Sequence, residues 1–169
     1  MNQWKEISPN ELTVNPFNKI GKDWMLVTAG DEKKINTMTA SWGSLGIMWG
    51  KPAAFTFIRP QRYTKEFIDS HDTFSLCFFD ESYRKTLSYL GSVSGRDENK
   101  VQNSNLTTCF IDETPCFEEA NLVVLAKKLY AQEMKPDCFL DSSLDEQWYA
   151  DKDYHIMYVS EIEKVFIRI

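Results

Sequence analysis

The strongest constraint on the fold is a set of short runs in which large apolar residues recur at every second position. In "AAFTFIR" (Ala53–Arg59) Phe55 and Phe57 stand two apart, and in "TFSLCFF" (Thr73–Phe79) Phe74, Leu76 and Phe78 do the same. Successive side chains of a strand point to opposite faces, so a period of two marks a face turned to a core. "WMLVTAG" (Trp24–Gly30) is a third apolar run, and "DEKK" after it reads as the turn of a hairpin whose second strand begins near Ile35. "NLVVLAKKLYAQEMK" (Asn121–Lys135) has a helical composition. Its β-branched start and the alternation of Leu125, Lys127, Leu129 and Ala131 favour one long strand. The closing "YHIMYVSEIEKVFIRI" is predicted to form two short strands around Glu161–Lys164.

Two helices interrupt these runs. In "RPQRYTKEFIDSH" Pro60 suits a helix entry, and Tyr63 and Phe67 fall four apart on one face. "ESYRKTLSYL" (Glu81–Leu90) is the second, with Gly91 as its stop. Strands that outnumber helices without regular βα alternation argue against a Rossmann sheet. They predict a mainly β fold, a barrel or sandwich with peripheral helices. No linker or repeat divides the 169 residues, so a single domain over 1–169 is expected.

Composition removes several function classes. The net charge of -6 offers no field for a nucleic acid, although a local basic pocket for a small anion needs no basic protein. The two histidines, His71 and His155, exclude multi-His metal chemistry, and no two of the four cysteines stand in CxxC spacing, so reduced, mostly buried thiols are expected. "MNQWKEISPNEL" has no apolar stretch after a basic end, and no window reaches the ~18 apolar residues of a spanning helix. A cytoplasmic protein without membrane contact is the expectation.

Three stretches carry chemistry. Read as a strand, "NTMTASW" puts Asn36, Met38, Ala40 and Trp42 on one face and Thr37, Thr39 and Ser41 on the other. That hydroxyl face either meets water or lines a phosphate or ribityl site, because hydroxyls donate to oxyanions without adding charge. "IRPQRYTKEF" gathers Arg59, Arg62, Tyr63, Thr64 and Lys65 at a helix start, the groups a phosphate monoester asks for. "GSVSGRDENK" is a loop with two glycines and two cations, Arg96 and Lys100, either exposed or brought close to a ligand. His155 is a structural histidine or one at a site mouth, and Asp151 and Asp153 make a dyad only if folded against each other.

Together, "NTMTASWGSLGIMWGKPAAFTFIRPQRYTKEF", "SGRDENK" and "DYHIMYVSEIEKV" resemble, in that order, the flavin reductase-like family, in its flavoredoxin branch of FMN-binding split β-barrels. The resemblance runs from about Trp24 to Val165, and its most specific part is N-x-M-x-x-S-W with the later Lys-Pro and R-x-x-x-Y-T. It implies a homodimer with FMN near the subunit interface, and NADH or NADPH as co-substrate. It also implies that Asn36, Met38, Thr39, Ser41 and Trp42 line the FMN and that Arg59, Tyr63 and Thr64 hold its phosphate end. Lys100 matches the family's S-G-R-x-x-x-K lysine. His155 matches a histidine usually written Asp-His; here the order is Asp-Tyr-His, and Ser160 stands where many members have Gly. A cation near the pyrimidine edge would stabilise the reduced flavin, with Lys100 or Arg96 the candidate. The expected activity is NAD(P)H-dependent reduction of flavin or an acceptor; the alternatives are an FMN-binding electron carrier without substantial NAD(P)H activity and a barrel that binds no flavin. Gly43, Gly46, Gly50 and Lys51-Pro52 are expected to form a loop, and Trp49 to sit in the core or a dimer contact.

Overall fold

The computed structural model describes residues 4–169. Its strands are β1 (Trp4–Ile7), β2 (Met25–Gly30), β3 (Ile35–Ala40), β4 (Gly43–Met48), β5 (Lys51–Ile58), β6 (Thr73–Phe78), β7 (Thr108–Ile111), β8 (Thr114–Phe117), β9 (Leu122–Glu133) and β10 (Ile156–Arg168). The helices are α1 (Pro16–Asn18), α2 (Tyr63–Ser70), α3 (Arg84–Ser92), α4 (Lys100–Asn103) and α5 (Ser142–Trp148). The main sheet runs β3-β2-β6-β9-β10-β5-β4 with β1 added to β10, while β7 and β8 pair with each other. All pairings are antiparallel. The mainly β architecture read from the sequence is the one observed.

The core lies on both faces of this sheet. Val27, Phe74, Leu76, Phe78 and Val124 join one buried cluster. Leu26, Cys77, Val123 and Leu125, their immediate neighbours along the same strands, join a second with Leu87 and Leu90 of α3 and Phe117 of β8. A strand buried on both faces reads as a continuous apolar run, which explains "WMLVTAG" and "LVVLA".

Three local expectations change. The chain end is one strand, because β9 runs unbroken beside it and supplies partners to both halves. The polar "SEIEK" is absorbed as register shifts at Val159/Ser160 and Ile162/Lys164. The first half of β10 also pairs with β5 and its last residues with β1, so the sheet splits along this strand. The expected glycine loop is instead strand β4, joined to β5 through Trp49 and Gly50 with φ of 52° and 72°. Two left-handed residues make the tight turn that matches the twist of a hairpin. Trp49 sits in that turn, 56% exposed, with its ring 6.2 Å from that of Tyr130, so the core half of its expectation fails. Lastly, Gly91 lies inside α3 rather than after it. A Cβ there would stand 3.1 Å from Thr39 Cβ, so the glycine lets α3 lie close on β3.

Cys77 and Cys116 are buried, Cys109 is partly buried and Cys138 is exposed; all four are free thiols. Among the described residues no helix is long and apolar enough to cross a membrane.

Candidate functional site

The hydroxyl face of β3 is mostly spent on neighbouring elements. Thr37 is fully buried, with its Oγ1 2.8 Å from Thr28 Oγ1 on β2 and donating to Val27 O at 3.2 Å. Thr39 Oγ1 donates to Leu87 O of α3 at 2.5 Å. Ser41, past the strand end, stays exposed. Asn36, nearly buried, donates from Nδ2 to Thr64 Oγ1 at 2.9 Å and so ties β3 to the first turn of α2. Gly95 presses on the same amide: a Cβ there would fall 2.2 Å from Asn36 Oδ1. The close approach that this glycine permits is to Asn36.

Beyond Thr39 the chain turns into β4, and the turn forms one wall of a groove of about 260 Å³. Thr39, Ser41 and Trp42 line that wall; Phe57 and Arg59 come from the end of β5, Arg62 from the N-cap of α2, and Trp148 and His155 from the segment opposite. The ring of Trp42 lies 5.0 Å from Trp148, edge to face, and 5.0 Å from His155. A second groove of about 570 Å³ shares Ser41, Trp42 and Phe57 and continues past Phe17, Leu45 and Tyr149.

The two guanidiniums differ in what they have left to give. Arg59 pairs with Asp153, donates to Trp148 O at 2.8 Å, and has its guanidinium 5.3 Å from the centre of the Tyr149 ring. Burial works to raise the Asp153 carboxyl, but the hydrogen bonds from Arg59 and Gln61 outweigh it and hold that group below the usual carboxylate range. Asp153 therefore serves Arg59 rather than a carboxylate dyad. Arg62 donates from Nη1 to Gly91 O at 3.1 Å, which uses one of five N–H donors. Burial, helped by the charge of Arg59, pushes the His155 imidazole down to about 4, so it is neutral near pH 7. Its Nδ1 lies 2.8 Å from Tyr149 Oη. Burial raises the Tyr149 phenol and keeps it protonated; its O–H also reaches Met134 Sδ at 3.6 Å, so the Tyr149–His155 contact forms with either imidazole tautomer.

Of the expected site residues, Met38, Thr39, Ser41, Trp42, Arg59 and His155 come together here. Asn36 and Thr64 brace the junction behind the groove. Tyr63, Arg96 and Lys100 line a different cavity of about 700 Å³ that Asn36 also borders. Tyr63 Oη accepts from Lys34 Nζ at 2.8 Å, and the Arg96 guanidinium stacks 4.7 Å from the Tyr63 ring while pairing with Glu66. Lys100 is buried, with Nζ donating to Leu90 O at 2.8 Å and Val93 O at 2.9 Å. Burial, with Arg62 nearby, pushes its ammonium down to about 8. It closes the C-terminal end of α3, where a cation meets free carbonyls.

Phe57 and Trp148 are groove residues that the sequence reading did not assign, and Arg62, grouped there with the cations suited to a phosphate, was not among the residues the resemblance implied for FMN. The alternation that put Phe55 and Phe57 on a core-facing side picks the wrong face: β5 buries Ala54, Thr56 and Ile58, and Phe57 is left half-buried in the groove, two residues before Arg59. Trp148 ends α5, a helix whose one sequence signal is its N-cap, Asp141, accepting from Ser143 N at 3.0 Å. Nothing local marks Arg62 over Arg59. Among the described residues no group of His, Cys, Asp or Glu could hold a metal.

As a polar set, two guanidiniums, the open Ser41 hydroxyl and Thr39 Oγ1 as an acceptor suit an anionic phosphate with a polyol, and two indoles suit a flat aromatic ring. At about 260 Å³ the groove falls just short of the roughly 300 Å³ at which ligand pockets begin, so a nucleotide-sized ligand also needs the adjoining groove.

A family model described as flavin reductase like domain matches residues 17–167. Among solved structures the chain is similar to an FMN-binding domain of a flavin reductases-like enzyme from Shewanella baltica, at 16% identity and a TM-score of 0.70 over 98% of this chain and 78% of that one. It is similar to a flavoredoxin from Methanosarcina acetivorans, at 20% identity and 0.67 over 92% and 74%. It is also similar to an NADH:FAD oxidoreductase from Streptomyces globisporus, solved with NAD and FAD fragments, at 12% identity and 0.65 over 87% and 77%. Identities this low speak for a shared fold. No curated protein sequence matches the chain.

Proposed function

The chain belongs to the flavin reductase-like domain family, and from that premise we propose that it binds FMN between β3, β5 and α5 and acts as an NAD(P)H-dependent oxidoreductase. The observation that carries this reading is the convergence of Arg59, Arg62, Trp42 and Trp148 on one groove. Arg62, with donors to spare, and Arg59 hold the phosphate; Thr39 and Ser41 meet the ribityl hydroxyls; Trp42 forms the wall against the ring. Neutral His155 offers a hydrogen bond without adding charge. Asn36 and Thr64 set the position of β3 against α2, while Tyr63, Arg96 and Lys100 support the loop behind. The groove shared through Trp42 and Phe57 has the room for a nicotinamide donor or an acceptor.

FMN, when bound, supplies the two-electron chemistry, accepting hydride and passing electrons on, that these side chains lack. The residues bind, orient and exclude water, and no side chain is required as acid or base. We further propose a cytoplasmic homodimer of single-domain subunits. The exposed Ile47 and Trp49, on β4 and its turn at the sheet edge, support the dimer, since exposed apolar side chains favour burial against a partner.

The similarity to a flavoredoxin favours a second reading, an FMN-binding electron carrier without substantial NAD(P)H activity. Mixing the purified protein with FMN and then NADH or NADPH, without oxygen, and following the flavin band separates the two. Bleaching at a catalytic rate supports the reductase, and binding without bleaching supports the carrier. A protein that fails to quench FMN fluorescence sinks both.

A further inference from the structure

Two cysteines that the groove does not use face each other across hairpin β7–β8. The hairpin turns through Asp112 and Glu113, with φ of 46° and 65°, and its register sets Cys109 opposite Cys116. Their Sγ atoms lie 3.3 Å apart. Glu118 N donates to Thr107 O at 2.9 Å, and Pro115, which has no N–H, stands opposite Phe110. Hydrogen-bonded and non-bonded pairs alternate along an antiparallel ladder, so Cys109 and Cys116 occupy a hydrogen-bonded pair with Cα atoms about 5.5 Å apart. That spacing lies inside the roughly 4.4–6.8 Å a disulfide spans. Cβ atoms of opposed residues stand about 4.5–5.5 Å apart, wider than the roughly 3.8 Å of a relaxed bridge, so a bridge here is strained and easily reduced.

The two thiols are unequal. Cys109 is partly exposed and Cys116 fully buried. The hydrogen bond from Cys116 favours the thiolate at Cys109, against burial and the charges of Glu118 and Glu119. The same bond and burial hold the Cys116 thiol protonated. Cys77, buried behind them, is pushed up to about 12 by burial and stays a thiol.

We propose that Cys109 and Cys116 are a redox-active dithiol, oxidised to a cross-strand disulfide by low-molecular-weight disulfides and reduced again by thiols. The Cys109 thiolate attacks one sulfur of RSSR, forming Cys109–S–SR and releasing RS⁻. Cys116 Sγ then attacks the Cys109 sulfur, its proton going to the departing RS⁻. The protein loses two protons and two electrons, and RSSR becomes two RSH. Excess RSH reverses both steps. The pair lies outside the flavin groove, so this inference stands apart from the FMN reading.

Bis(2-hydroxyethyl) disulfide is the suitable probe, because it is neutral and Glu118 and Glu119 do not repel it. The protein carries Cys138→Ser to remove the exposed thiol, is treated with the probe, alkylated with iodoacetamide and digested for mass analysis. The expected product is a peptide joining Cys109 to Cys116, two hydrogens lighter than the dithiol and restored by dithiothreitol. Cys116→Ser should retain a hydroxyethylthio adduct on Cys109, and Cys109→Ser should leave Cys116 unmodified. Alkylation of both cysteines after treatment, or a lasting adduct on Cys109 with Cys116 intact, overturns the proposal. The readout on the Cys138→Ser protein stands whether or not either further variant folds.

Discussion

Arg62 and Arg59 show how a side chain's spare hydrogen-bonding capacity decides what its loss will mean. Arg62→Ala removes one bond to Gly91 O, and with it the donors aimed at the groove. It should weaken FMN binding by roughly 1.5–3 kcal/mol, the worth of a hydrogen bond to a charged group, with little change in melting temperature. Arg59→Ala also leaves Asp153 with Gln61 as its remaining side-chain partner and releases the end of α5, so it should lower both affinity and melting temperature; fluorescence titration alongside calorimetry distinguishes the two. Trp42→Ala should alter the bound-flavin spectrum more than the affinity, and an unchanged spectrum would remove Trp42 from the ring. His155 makes a pH prediction. Above pH 6.5 its imidazole is neutral both folded and unfolded; between 6.5 and about 4 the unfolded chain takes the proton first. Stability therefore falls as pH drops through that window, by up to about 3 kcal/mol. Asp153 and Asp69, held below 3.8 when folded, contribute their losses only at lower pH. Melting curves from pH 7 to 4 on wild type and His155→Gln test this, and an equal slope in both would refute it.

Elements depend on what they pack against, and those whose signal lies within the run itself are legible in the sequence. The runs around Phe55, Phe74 and Leu122 formed the expected strands because alternation and apolarity are properties of the run itself. β4 was missed because two glycines mask its alternation, and pairing with β5 outweighs their cost. Gly43 is required there, since a Cβ would stand 2.8 Å from Phe55 O. The break expected in β10 did not occur because β9 pairs across it. At the loop before α4, Gly95→Ala forces a methyl into Asn36 and should cost about 1–3 kcal/mol of stability, as overpacking does. Denaturant unfolding measures that loss, and an unchanged midpoint would mean that the loop moves aside freely.

At the scale of the molecule, a sheet with apolar clusters on both faces leaves β4 and its turn at an edge, with Ile47 and Trp49 exposed. If that edge is the surface of the proposed homodimer, light scattering should give about twice the chain mass of 19.7 kDa. The double variant Ile47→Glu and Trp49→Glu should then be monomeric with its fold intact, whereas a dimer that survives would place the interface elsewhere. By itself the sequence determined the β-rich class, the main strands, and six residues of the candidate groove, since periodicity and short motifs are local. The tertiary structure decided which cations face that groove. Arg62 enters it while Lys100, equally basic in sequence, folds back on the end of α3 and donates to the carbonyls of Leu90 and Val93. Burial and partners assign a charged side chain its role, and for Arg59 and Arg62 the partners, Asp153 and Gly91, lie far along the chain where no local pattern shows them.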